Sequence, residues 1–324
     1  MNDIHPGDKV LNAVLRRISG LYVEPGERTE ARLKAFLNPK FRALQPRKGE
    51  LMKDYRARVQ MAFSGPRWAL VKRKIAADFT DANAEATDYV NNGLAEAFAA
   101  GLNESAYALA LSGVTAWPIT TTVVVELVAD KVITLNKRKL KRRKDTAYNE
   151  QRTQSAVVSA IVQGITVEDM PHHVARHISN ARQNEMIAYA RAAIYGASDT
   201  GAYMAGKEAE KDGLEIEKTW LSIMDMKVRP SHKHLHGVTI PLNEKFHGYH
   251  GVLRYPHDPT APPEETYRCR CRMAVHLAGK SPGEYSRKIL PTQTAAYRKW
   301  RDVQIRNAGG EIELAKIHRR RIRG

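Results

Sequence analysis

Apolar positions spaced three and four residues apart dominate the first two thirds of the chain, and they predict helices rather than strands. Lys9 to Ile18 has this spacing, and Pro25-Gly26, Pro46 and Gly65-Pro66 punctuate the segment around it. From Phe79 to Gly113 the chain is Ala-rich and reads as helix, with Thr80 to Glu85 as a capped start. Between Leu94 and Leu111, small and apolar residues recur at three and four, which suits close helix packing. After Pro118, the run Thr120 to Val125 is β-branched and suits a strand. Its continuation through Ile133 suits a helix, and the pattern leaves that boundary open. From Asp145 to Lys211 the spacing is helical again, broken at Gly164-Ile165-Thr166 and at Pro171, with Thr166 as an N-cap.

The pattern changes near Gly213. Gly, Pro, His and Tyr become frequent, and seven of the twelve histidines lie between His232 and His276. Ser281 to Gly324 returns to a helical pattern with a basic end, His318 to Arg323. The expected fold class is therefore α+β, with a largely helical N-terminal and middle region and a small loop-rich C-terminal domain. The expected divisions are a basic segment 1–80, a helical region 81–212, an α+β domain 213–280 and a helical basic tail 281–324.

The stretch from Lys218 to Met273 is the most informative. Asp225 and Arg229 are four apart and can pair across one face of a helical turn. Pro230 suits the first turn of a short helix that stops at Gly237. On that helix His232 and His236 share a face, and His234 points elsewhere. Val238 to Ile240 reads as a short strand. Arg254 to Pro259 and Pro262-Pro263 form a rigid, extended connection. From Tyr267 the chain alternates. Tyr267, Cys269, Cys271, Met273 and Val275 face one side of an expected strand, and Arg268, Arg270 and Arg272 face the other.

The ordered series Trp220, Asp225, Val228-Arg229, His232, Gly237, Phe246, Tyr255-Pro256, Glu264-Glu265 and Cys269-Arg270-Cys271 resembles the Mu F-like domain of phage head morphogenesis proteins. In this reading Trp220, Asp225, Arg229, Gly237, Phe246 and Pro256 are motif positions. The family pattern leads one to expect a small polar residue such as Asn before the first cysteine, where this chain has Arg268. The resemblance implies a minor capsid protein of a tailed phage or prophage, present in few copies. It implies recruitment to the assembling prohead, commonly with the portal protein, and action in head assembly or early DNA delivery. The expected location is the virion, in the capsid interior or portal region, and the host cytoplasm during assembly.

Composition adds a partner class. Lys plus Arg outnumber Asp plus Glu by 52 to 35, a formal charge of +17. Such a surplus favours acidic partners such as nucleic acid, an acidic protein surface or an anionic membrane. Lys137, Arg138, Lys139, Lys141, Arg142, Arg143 and Lys144 form one basic run. With Arg268, Arg270 and Arg272 they are candidates for phosphate contacts to double-stranded DNA without sequence preference. A solvated charged face or an acidic protein partner is the alternative for each group. The basic tail can equally be disordered.

Two cysteines exclude a disulfide framework, and free thiols are expected. His232, His236, Cys269 and Cys271 could form a zinc site, with Asp225 or His234 as a substitute ligand. The one-residue spacer between the thiols is less usual for zinc, and two core cysteines on a β face is the favoured reading. The cofactor stays open, with zinc the candidate. No known enzyme signature is present, so no catalytic residue is assigned. The alternative is a head-carried enzyme or toxin-like effector with a site at Asp225, Arg229, His232, Cys269 and Cys271. The N-terminus lacks an apolar signal region. The apolar stretch Leu94–Val132 is interrupted by Asn103, Glu104, Pro118 and Glu126, so no stable membrane insertion is expected.

Overall fold

The helical spacing is realised in a computed structural model that describes residues 5–280 and 290–323. In chain order the first helices are α1 (Asp8–Gly20), α2 (Val23–Leu37), α3 (Met52–Ala62), α4 (Gly65–Leu111), α5 (Thr121–Ala129), α6 (Arg142–Val162) and α7 (Met170–Glu210). Then come β1 (Ile216–Leu221), α8 (Pro230–Leu235), β2 (Thr239–Pro241), β3 (Phe246–His247), β4 (Val252–Leu253), α9 (Pro263–Thr266) and β5 (Arg272–Leu277). The described chain closes with α10 (Ala295–Asn307) and α11 (Glu311–Arg323). With 65% of residues helical and the few antiparallel strands all in the C-terminal part, the fold is α+β and mostly helical.

Several elements differ from the sequence expectation. Helix α4 does not start at Thr80. It runs unbroken from Gly65, and Thr80 sits inside it with Oγ1 donating to the Ala76 carbonyl. A boundary at residue 80 therefore falls within a continuous helix. The β-branched run after Pro118 is helix α5, capped by Thr120, whose side chain accepts the Val123 N–H. Its Val123, Val124 and Leu127 are buried, so packing of that face overrides β propensity. Thr166 does cap as expected, accepting the Asp169 N–H just before α7, and Pro171 lies in the first turn of that helix. Expectations for residues 281–289 lie outside the described residues.

The chain forms two compact units. One comprises residues 15–89 and 138–187. Its core includes Phe36, Phe63 and Trp68, with ring centroids 5.0 to 5.5 Å apart. A buried polar relay runs beside it. The Tyr22 hydroxyl donates to Asn83, and Asn83 and Asn149 both donate to Asp145. Asn149 also donates to Thr80 Oγ1 at 2.9 Å, while its own side-chain oxygen is left without a hydrogen-bond partner.

Among the described residues, the other unit comprises 5–14, 90–137, 188–280 and 290–323. Its sheet has the order β2-β1-β5, all antiparallel, with Lys218 opposite Ile240 and Val275, and Trp220 opposite Met273. A β3–β4 hairpin pairs Phe246 with Leu253. In this unit the later part of α4 meets the later part of α7 at glycine. A Cβ on Gly101 would lie 1.8 Å from the Ser198 carbonyl oxygen, and one on Gly201 2.1 Å from that of Phe98. The small-residue spacing of 94–111 thus serves backbone-to-backbone contact.

The basic C-terminal helix is docked in the same unit. His318 is fully buried, with Nδ1 2.8 Å from Glu208 and Nε2 2.9 Å from the Pro118 carbonyl. Arg319 pairs with Asp130 and Arg321 with Asp212. Burial opposes a charge on His318, but the Glu208 carboxylate outweighs it and raises the imidazole pKa.

Candidate functional site

The site is assembled from two turns. After β1 the chain loops through 222–229, and Pro230 opens α8 in the position where its missing N–H costs nothing. Gly237, at φ +80°, ends the helical segment as expected. This short helix aims His232 inward at 1% exposure. From the other side α9 stops at Thr266, and Arg268 takes a left-handed backbone at φ +59°. That conformation costs a side-chain-bearing residue about 1 kcal/mol and is easiest for Gly or Asn. It gives a physical reason for the small polar residue that the family pattern leads one to expect there.

The left-handed turn replaces the expected strand. β5 begins only at Arg272, so residues 267–271 do not alternate between two sheet faces. The three arginines consequently have three different environments. Arg268 is exposed, Arg270 is half-buried and grips Asp225 through two 2.8 Å hydrogen bonds, and Arg272 is buried in β5. They form no common guanidinium face. Asp225 accordingly pairs with Arg270 and not with Arg229, because 225–229 is a loop rather than a helical turn. The Arg270 guanidinium holds the Asp225 carboxyl below its usual range. Arg229 instead donates to the Tyr267 carbonyl.

The same turn places both thiols beside one imidazole nitrogen. Cys269 Sγ and Cys271 Sγ each lie 3.5 Å from His232 Nδ1. The other ring nitrogen, Nε2, is 2.9 Å from the fully buried Glu265 carboxylate. Glu265 also accepts the His250 N–H at 2.7 Å. Burial pushes the Glu265 carboxyl up, but these two partners outweigh it and hold it ionised. Ser222 accepts from Trp220 Nε1, donates to the His232 carbonyl and touches Cys271 Sγ at 3.4 Å. The Trp220 ring packs edge-on against His232 and Phe246. Burial raises the Cys269 thiol, whereas its hydrogen bond to Cys271, with help from His232, draws Cys271 toward the thiolate. A cleft of about 210 Å³ overlies the cluster, lined also by Lys227, Arg229, Arg268 and Arg270.

His236 is not part of this group. It caps α8, and its Nδ1 accepts the Ser222 N–H at 3.0 Å. His234 is exposed on the other side of the helix. Glu265 stands in the motif, but its role was invisible in sequence because 33 residues separate it from His232. Chemically, an imidazole oriented by a carboxylate can serve a metal ion or a thiol nucleophile. Both thiols are buried, at 3% and 1% exposure, which suits coordination better than attack on a substrate.

A second cluster that sequence reading missed is also buried. Asp199 on α7 lies 2.8 Å from His257 Nδ1 and 3.4 Å from His5 Nε2. His5 Nδ1 accepts the Gly7 N–H, so its proton sits on the nitrogen facing Asp199. Burial would raise the Asp199 carboxyl, but the two imidazoles overcome it and lower its pKa. His5 Nε2 and His257 Nε2 are both buried with no hydrogen-bond partner among the described residues. Pro256 is buried in the turn that sets His257 at φ +58°. Lys218, fully buried, donates to the carbonyls of Leu242, Glu244 and Arg254 at 2.6 to 2.7 Å.

The basic run has no regular secondary structure from Lys137 to Lys141, and α6 starts at Arg142. Its basic residues are exposed, and Arg142 pairs with Asp81. Arg138, Lys139, Lys141 and Lys144 line a shallow cleft of about 420 Å³ with Asp145, Tyr148, Arg182 and Glu185.

The sheet unit buries the tryptophan, the phenylalanine and both cysteines of the ordered motif. Residues 151–274 match the family model described as Phage Mu protein F like protein, so this chain carries a Mu F-like region. The matched stretch includes His232, Glu265, Cys269 and Cys271. No curated protein and no solved structure matches the chain. No helix among the described residues is long and apolar enough to cross a membrane.

Proposed function

We propose that this chain is a minor capsid protein of a tailed phage or prophage, acting in head morphogenesis with the portal protein and other head proteins. The observation that carries the reading is the Mu F-like match over residues 151–274, which falls on the segment with the ordered motif. The role is structural: the chain joins the particle rather than turning over a metabolite. It resides in the virion and passes through the host cytoplasm during assembly. Quantitative mass spectrometry of purified proheads and mature particles tests this. We expect a few copies relative to the major capsid protein, retained in fractions that contain the portal. Abundant soluble chain with none in either particle would overturn it.

Double-stranded DNA is the second partner, contacted without sequence preference through residues 137–144. The exposed basic run supports this, since phosphate neutralisation needs charge and no base-reading motif. Binding of the full chain to random-sequence duplex is expected to weaken steeply with salt. Replacing Lys137, Lys139, Lys141 and Lys144 together by Gln should reduce the slope of log K against log salt by up to about 4. An unchanged slope would remove this segment from the DNA contact.

A further inference from the structure

We propose that His232, Cys269 and Cys271 hold a tetrahedral divalent transition metal, zinc by donor chemistry. Its fourth coordination position opens onto the cleft lined by Lys227, Arg229 and Arg268. The first support is geometric. One imidazole nitrogen has one lone pair, yet both sulfurs stand 3.5 Å from His232 Nδ1. Two thiols cannot both donate well to that lone pair, whereas one central ion satisfies all three groups. For Zn–S near 2.3 Å and Zn–N near 2.0 to 2.1 Å, a tetrahedral angle puts a nitrogen and a sulfur ligand about 3.5 Å apart. All three donor atoms lie within 4.8 Å of one another.

The second support is the shell around the donors. Glu265 engages His232 Nε2, which places the ring proton there and turns the Nδ1 lone pair toward the sulfurs. This carboxylate–histidine arrangement fixes the tautomer that a metal ligand needs. The Cys271 N–H points at Cys269 Sγ from 3.4 Å and offsets charge on that sulfur. The left-handed Arg268 explains why a one-residue spacer works: residues 269–271 are not a strand and both sulfurs reach the same imidazole.

Charge closes the case. Two thiolates, a neutral imidazole and a divalent ion sum to zero, and the one remaining charge, on Glu265, is held by the His232 ring N–H and the His250 N–H. Coordination converts two thiols into metal-bound thiolates and passes both protons to solvent. Among the described residues the cluster stops at three donors, since His236 Nδ1 already accepts a backbone N–H. Three protein ligands and a solvent-facing position leave the ion open to an exogenous donor. The basic lining favours an anion there.

The test is metal content of the purified full chain by plasma mass spectrometry, with cobalt(II) absorption as a second readout. We expect one equivalent of zinc per chain and a thiolate-to-cobalt charge-transfer band. Cys269→Ser with Cys271→Ser should abolish both, and His236→Ala should keep both. Glu265→Gln should retain stoichiometry while weakening affinity by roughly 10- to 100-fold. Thiocyanate should alter the cobalt d–d bands if the fourth position is open. A folded wild-type chain without metal after zinc reconstitution, or full binding by the double cysteine variant, would overturn the site. Cobalt bands indifferent to thiocyanate would overturn the open position.

Discussion

Gly101→Ala and Gly201→Ala are each expected to destabilise the unit built on the later parts of α4 and α7 by more than about 3 kcal/mol, at or beyond the upper end of overpacking costs. The added methyl would sit 1.8 Å from the Ser198 carbonyl oxygen in one case and 2.1 Å from that of Phe98 in the other. Neither obstacle is a flexible side chain that could swing aside. Both are helix backbone, so the helices must separate and give up packing along their length. Gly20→Ala is the control, because its Cβ meets nothing within 4 Å. Urea denaturation followed by circular dichroism measures all three. Midpoints for Gly101→Ala and Gly201→Ala equal to the control would show that the two helices do not approach this closely. The effect reaches the candidate site's unit, since α7 also carries Asp199 and Glu208, the partners of His257 and His318.

Lys218→Met should cost about 3 kcal/mol at neutral pH, because the carbonyls of Leu242, Glu244 and Arg254 lose their donor. The side chain has nearly the right length and no charge, so the loss reports on the ammonium. Burial presses the Lys218 pKa down to about 8 in the folded chain. An unfolded lysine titrates near 10.4, roughly the ordinary value. Between these two values the unfolded chain binds more protons than the folded one, so this residue's contribution to stability rises with pH. The gap between wild type and Lys218→Met should therefore widen from about pH 8 to about pH 10.4 and be level below that window. Equal stability of the two proteins would contradict the caged side chain, and a gap independent of pH would contradict the lowered pKa.

A caged lysine on β1 leaves no trace in the sequence. Lys218 looks like any polar strand residue, and its acceptors come from three separate later positions. The same holds for Glu265, whose partner His232 is fixed only when α8 and α9 are brought together. Thr80 shows the opposite error: a good cap by residue type became a helix-interior residue, since the apolar face of α4 continues past it. The expected Arg face failed for one local reason, the left-handed turn at Arg268, which ends the alternation before β5 begins.

The sequence by itself determined the helical majority, the end of the long helical pattern near residue 213, the short helix between Pro230 and Gly237 and the Mu F-like motif. These are properties of local spacing, of turn residues with fixed backbone preferences, and of ordered residue types. Tertiary structure alone decided which partners the motif residues take. Asp225 chose Arg270 over Arg229, and the cysteines chose His232 without His236. Those choices depend on through-space distances between segments tens of residues apart, and on which polar groups burial forces to find a partner. Periodicity carries no information about either.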